Sequence, residues 1–153
     1  MEILGIGHVA MRCRYYDETL RFYTEGLGGR KAFDLYKDDG SVWITYVDLG
    51  NGQFVELFPM PYEGENLQSE RSFVHMCLEI DDFPRVVRRL RANGVQVTNS
   101  GRGSSEVPEP LEQRVPGLCG SLCAFVTDPE GNDVELMQFT AASKQINGGE
   151  CLV

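Results

Sequence analysis

Along this chain, apolar and polar positions change period in an order that occurs twice. Residues 3–13 read as a strand, and residues 15–27 carry Leu20, Tyr23 and Leu27 at helical spacing before Gly28-Gly29 ends the run. Residues 30–37, 41–49 and 52–59 return to strand patterning, with Asp38-Asp39-Gly40 and Gly50-Asn51-Gly52 as turns. Residues 61–71 are polar with Pro and Gly, which predicts a linker. The order then begins again. Residues 72–80 are strand-like, and Asp81-Asp82 can cap a helix with Pro84 in its first turn and Gly94 past its end. Val95–Thr98 predicts a short strand, and residues 119–127 and 132–139 a hairpin around Asp128–Gly131. The expectation is an α+β fold of two strand-helix-three-strand modules, 1–60 and 72–140. Residues 141–153 lose periodicity and predict a mobile tail.

The chain has two histidines, and each opens one module. His8 lies in G-H-V-A-M-R and His75 in F-V-H-M-C-L; each module closes on V-E-L, with Glu56 and Glu135. A lone strand histidine is usually a hydrogen-bonded structural residue, and a lone glutamate near a strand end is usually solvated. The repeated pairing points elsewhere. Two imidazoles and two carboxylates make a ligand set for a divalent ion with positions left open for substrate. Strand alternation puts Arg12 on the face of His8, and Phe54 and Phe58 on the face of Glu56. Cys77 shares a face with His75, and Met137 with Glu135. If each helix covers the opposite face of its sheet, these residues line a cleft suited to a small molecule. The second module is longer, and its excess lies in 99–118, rich in Gly, Ser, Pro and Glu. A loop of that length is either disordered or functional, as a cover over a site would be.

Composition narrows the partners. With 14 basic and 23 acidic residues the net charge is −9, which disfavours nucleic acid and anionic membranes. Arg85, Arg88, Arg89 and Arg91 read as the solvated face of a helix. No apolar run reaches membrane-spanning length, and the N-terminal residues lack a signal-peptide profile. Five scattered cysteines then fit a reduced, cytoplasmic protein, and Cys119 and Cys123 lack the second pair that a zinc ribbon has.

The motifs G-H-V-A, F-V-E-L, F-V-H-M-C-L-E-I and D-P-E-G-N-D-V-E-L-M, spread over residues 3–139, resemble the vicinal oxygen chelate superfamily. Within it the chain resembles glyoxalase I (lactoylglutathione lyase) and the glyoxalase–bleomycin resistance protein family. The resemblance implies one domain of paired βαβββ modules forming a half-open barrel, usually in a homodimer. It implies His8, Glu56, His75 and Glu135 as metal ligands. Nickel or cobalt is favoured by likeness to compact bacterial members, with zinc, manganese and iron as alternatives. The implied reaction is proton transfer through an enediolate of a 2-oxoaldehyde–thiol hemithioacetal, with Glu135 as base and Glu56 as the alternative. Arg12 and Arg71 match positions that hold the carboxylates of glutathione. Met60 departs from an asparagine of glutathione-using members, and P-G-L-C-G-S-L-C lacks their lysines. The resemblance leaves open an epimerase or other isomerase, a dioxygenase, and a non-catalytic drug-binding protein.

Overall fold

A computed structural model describes residues 6–64 and 73–147. The chain divides into two compact units, Met1–Asn66 and Leu67–Val153. The expected α+β composition is present in each.

Unit 1 runs β1 (His8–Arg12), α1 (Tyr16–Arg21), a π-helical turn (Phe22–Gly26), β2 (Arg30–Tyr36), β3 (Val42–Gly50) and β4 (Gln53–Phe58). Its sheet has the order β1-β4-β3-β2, with β1 parallel to β4 and the other pairs antiparallel. The helix predicted over 15–27 is thus α-helical only in its first half. The Leu27 N–H reaches the Phe22 carbonyl at 2.9 Å, a five-residue step. Widening the turn lets the adjacent Phe22 and Tyr23 both be buried, edge to face at 5.1 Å. They join Val47, Val55 and Leu57 in the core, on the sheet face away from Glu56.

At the rim of this core, Lys31 pairs with Asp34 at 2.7 Å. The Thr45 hydroxyl donates to Asp34 at 2.5 Å, leaving its oxygen to accept from Tyr16 at 2.6 Å. Burial acts to raise the Asp34 pKa, but the hydrogen bonds from Lys31 and Thr45 outweigh it and lower the value below the ordinary one. A carboxyl whose folded pKa is depressed stabilises the fold above its unfolded pKa of about 3.9 and loses that contribution as pH falls through the folded value. Asp34→Asn is therefore expected to cost stability at pH 7 and to flatten the acid limb below pH ~4, as read by urea midpoints across pH.

Unit 2 runs β5 (His75–Glu79), α2 (Phe83–Ala92), a 3-10 turn (Leu111–Gln113), β6 (Leu122–Thr127), β7 (Asp133–Gln138) and α3 (Lys144–Asn147). Its sheet order is β5-β7-β6, with β5 parallel to β7. The Asp82 carboxylate accepts from the Arg85 N–H at 2.9 Å and caps α2, with Pro84 in the first turn. Phe83, Val86, Val87 and Leu90 of α2 are buried, as are Ala124, Val126, Val134 and Leu136 on the sheet face away from Glu135.

Three expectations change in unit 2. The strand predicted at Val95–Thr98 is reduced to isolated bridges from Thr98 to Phe125 and to Glu106. The turn through Gly101 and Gly103 brings Glu106 back opposite Thr98, and pairing stays at that one residue. The 99–118 segment, read as either disordered or functional, is ordered and partly anchored on α2, with Val115 and Leu118 left exposed. Val107 and Leu111 are buried, Arg91 donates to the Val107 carbonyl and to Glu109, and Arg88 pairs with Glu112. The helix arginines are thus largely engaged in holding this segment and in an Arg85–Asp81 pair. Finally, 141–147 is not a mobile tail. It includes α3, the Lys144 N–H donates to the Cys119 carbonyl at 2.8 Å, and the Ser121 and Ser143 hydroxyls meet at 2.7 Å. Residues 148–153 lie outside the described residues.

Gly120 is where this closing segment docks. Its φ is +79°, and a Cβ there would lie 2.1 Å from the Ala142 carbonyl oxygen. Gly103 has a similar φ of +81° with open space around it. Gly103→Ala is expected to cost about 1 kcal/mol from left-handed strain alone. Gly120→Ala should cost ~2 kcal/mol or more because backbone must also move, and paired urea titrations separate the two.

Candidate functional site

Both units place a histidine beside a glutamate by the same register. Across β1 and β4, His8 stands opposite Phe54 and Ala10 opposite Glu56. Across β5 and β7, His75 stands opposite Asp133 and Cys77 opposite Glu135. In each unit the glutamate is therefore one same-face step further along the neighbouring parallel strand, and the side chains lean together. His8 Nδ1 lies 3.5 Å from Glu56 Oε1, and His75 Nε2 lies 3.2 Å from Glu135 Oε2. Two donors each about 2.1 Å from one ion, at tetrahedral or right angles, sit about 3.0–3.4 Å apart. The His75–Glu135 spacing falls within that range, and the His8–Glu56 spacing lies just above it. Among the described residues, no group of three or more His, Cys, Asp or Glu side chains forms a complete cage. Taken by itself, each unit offers two donors.

The two glutamates differ in their surroundings. The Glu56 side chain is 8% exposed and that of Glu135 15%. Tyr46, opposite Glu56 on β3, hydrogen-bonds to it, and that bond, with burial and the negative charge behind it, raises the phenol pKa. Glu135 has thiols on both sides, Cys77 on β5 and Cys123 on β6, and both hydrogen-bond to it. Although part of Cys77 is exposed, desolvation of its sulfur, reinforced by the Glu135 charge, pushes its pKa up to about 12. Burial also pushes Cys123 up. An S–H is a weak donor and a phenol O–H a strong one, so Glu56 is the more firmly tied.

Aromatic rings cluster on the unit 1 sheet near the His8–Glu56 pair. Phe33 stacks on Tyr46 at 4.3 Å, Tyr46 meets Phe54 edge-on at 6.1 Å, and Trp43 meets Phe58 edge-on at 6.4 Å. In unit 2 the His75 ring stands edge-on to Phe125 at 5.5 Å. Of the residues marked out from the sequence, His8 with Glu56 and His75 with Glu135 are brought together within their units. Phe54 and Phe58 lie on the Glu56 face. Arg12 is exposed at the end of β1, opposite Phe58. Met137 is buried opposite Cys123 and serves as wall. Arg71 lies outside the described residues. Tyr46, Cys123 and Phe125 were missed. Their only sequence signal is an even offset within a strand whose register was unknown.

A three-stranded or four-stranded sheet with a parallel outer pair, built twice, and a His–Glu pair at the same offset in each define the class. The chain belongs to the Glyoxalase/Bleomycin resistance protein/Dioxygenase superfamily, whose model matches residues 5–136. It is 28% identical over 133 residues to Lactoylglutathione lyase GLX1 of Arabidopsis thaliana, covering 86% of this chain and 43% of that protein. This chain thus spans less than half the length of that lyase. A glyoxalase family protein from Enterococcus faecalis has the same fold, with a TM-score of 0.66 at 24% identity, over 90% of this chain and 99% of that one. So does TnmS3, an antibiotic binding protein from Streptomyces sp. CB03234, with a TM-score of 0.59 at 23% identity, over 92% and 99%. Among the described residues, no helix is long and apolar enough to cross a membrane.

Proposed function

We propose that this protein is a metal-dependent lyase or isomerase of the glyoxalase I type, acting on a small molecule with neighbouring oxygens. The observation that carries the reading is the His–Glu pair repeated at one register in both units. His8, Glu56, His75 and Glu135 would hold one divalent ion, nickel or cobalt by preference, with zinc, manganese and iron as alternatives. The reading requires both half-sites to serve that ion, from one chain or from two copies in a homodimer. When bound, the ion supplies Lewis-acid stabilisation to negative charge on substrate oxygen. Glu135 takes a proton from the carbon beside the carbonyl and returns it to the neighbouring carbon. Its thiol partners release a carboxylate oxygen more readily than Tyr46 releases Glu56, which supports Glu135 as the base. Arg12 and Arg71 are proposed to bind carboxylates of a thiol such as glutathione. The protein is proposed to be cytoplasmic.

The test is elemental mass spectrometry of untagged protein before and after nickel reconstitution, with turnover of methylglyoxal plus glutathione on the same samples. One metal per four-ligand set with turnover is the expected result. Metal without turnover would shift the substrate to another thiol adduct, in keeping with Met60. The row Phe33, Tyr46, Phe54, with Trp43 against Phe58, favours one other reading, a drug-binding protein without catalysis. Absence of metal in both samples, together with a change of Trp43 fluorescence on adding an aromatic drug, would replace the enzyme by that binder.

A further inference from the structure

Cys119 and Cys123 bring their sulfurs to 3.6 Å across the turn that leads into β6. The turn is closed by the Gly117 N–H to the Ser121 carbonyl and the Gly120 N–H to the Gly117 carbonyl, both at 2.9 Å. Its backbone is held from outside at each cysteine. The Lys144 N–H donates to the Cys119 carbonyl at 2.8 Å, and the Arg114 guanidinium donates to the Cys123 carbonyl at 2.8 Å. Bond formation must bring the sulfurs from 3.6 Å to about 2.05 Å. Both residues are half-buried, within reach of a small oxidant.

We propose that Cys119 and Cys123 form a redox-active dithiol, a modification site that hydrogen peroxide converts reversibly into an intramolecular disulfide. Cys119 acts first. Its sulfur attacks one peroxide oxygen, the O–O bond breaks, and the departing hydroxide leaves as water with the thiol proton, giving a sulfenic acid. Cys123 sulfur then attacks the Cys119 sulfur. The S–S bond forms, the S–O bond breaks, and a second water leaves with the Cys123 proton. The two sulfurs together lose two electrons and the peroxide gains two. Burial alone would raise the Cys119 pKa, but hydrogen bonds from Ser121 and Cys123 outweigh it and lower the value, which favours Cys119 as the attacking thiolate. The single Cys123 S–H is shared among Cys119, the Ser121 carbonyl and Glu135, and disulfide formation removes it from all three.

The test treats reduced full-length protein with hydrogen peroxide, blocks remaining thiols by alkylation and digests with trypsin. Cleavage after Arg114 and Lys144 yields residues 115–144, which carry Cys119 and Cys123 and no other cysteine. The expected result is a peptide lighter by two hydrogens with no alkyl group, restored to double alkylation by dithiothreitol. Cys123→Ser should instead leave a sulfenic acid on Cys119 that dimedone captures, and Cys77→Ser should leave the disulfide unchanged. Double alkylation after peroxide, separate over-oxidation of the two sulfurs, or a bond from Cys119 to Cys77 would each overturn the proposal. None of these readouts depends on metal or turnover.

Discussion

Replacing Glu135 by glutamine is expected to lower kcat with methylglyoxal and glutathione by ~10²–10⁴-fold, the usual contribution of a positioned general base. Glutamine keeps the size of the side chain and can still accept from Cys77 and Cys123, so the sheet register at Cys77 and Phe125 should survive. The loss then reports on the carboxylate and not on folding. Glu56→Gln provides the comparison. Glu56 is the more buried of the two and is bonded by Tyr46, so its replacement should lower metal content at least as much as turnover. If Glu56→Gln abolishes turnover at full metal occupancy and Glu135→Gln does not, the base is Glu56. If both variants keep full metal content and full turnover, the four-ligand reading fails.

A second large effect is expected at Phe83. This residue begins α2, its ring is fully buried, and its N–H donates to Gln138 Oε1 at 2.6 Å at the end of β7. Phe83→Ala leaves a cavity where α2 meets the sheet and is expected to cost ~3–5 kcal/mol. With a urea slope of roughly 1–3 kcal/mol per molar, the midpoint should fall by more than about 1 M. The loss reaches the site through β7, because Glu135 and Gln138 share that short strand. A shift below a few tenths molar would mean that the ring can be lost without disturbing the packing of α2, contrary to its burial.

Local pattern carried most of the secondary structure because the signals were local. The Asp82 cap, Pro84, and the Gly-containing turns act over three or four residues, and β2 to β5 lie within a residue or a few of their expected bounds. Where pairing partners decide the outcome, the pattern was insufficient. Val95–Thr98 has strand-forming residues, yet it bridges only at Thr98, where Phe125 and the returning Glu106 supply partners. The 99–118 segment is polar by composition, yet Val107 and Leu111 anchor it to α2, and the arginines that read as a solvated face hold it there. The π-helical turn likewise follows from burying Phe22 and Tyr23 together, a tertiary demand placed on a sequence with ordinary helical spacing.

What the sequence determined by itself was the repetition: a single histidine and a V-E-L glutamate in each module, each on a strand, at equivalent places in the order of elements. Alternation then assigned faces, because a strand's period of two is a property of the backbone alone. Only the tertiary structure decided the register. Pairing Ala10 with Glu56 and Cys77 with Glu135 brings each histidine within 3.5 Å of its glutamate, and a slip of one residue would turn the two to opposite faces. The same register chose the neighbours, Tyr46 for Glu56 and two thiols for Glu135, which make two chemically identical carboxylates unequal. Side chains from strands distant in sequence cannot be matched by local pattern, because their proximity depends on hydrogen-bonded pairing set by the whole sheet.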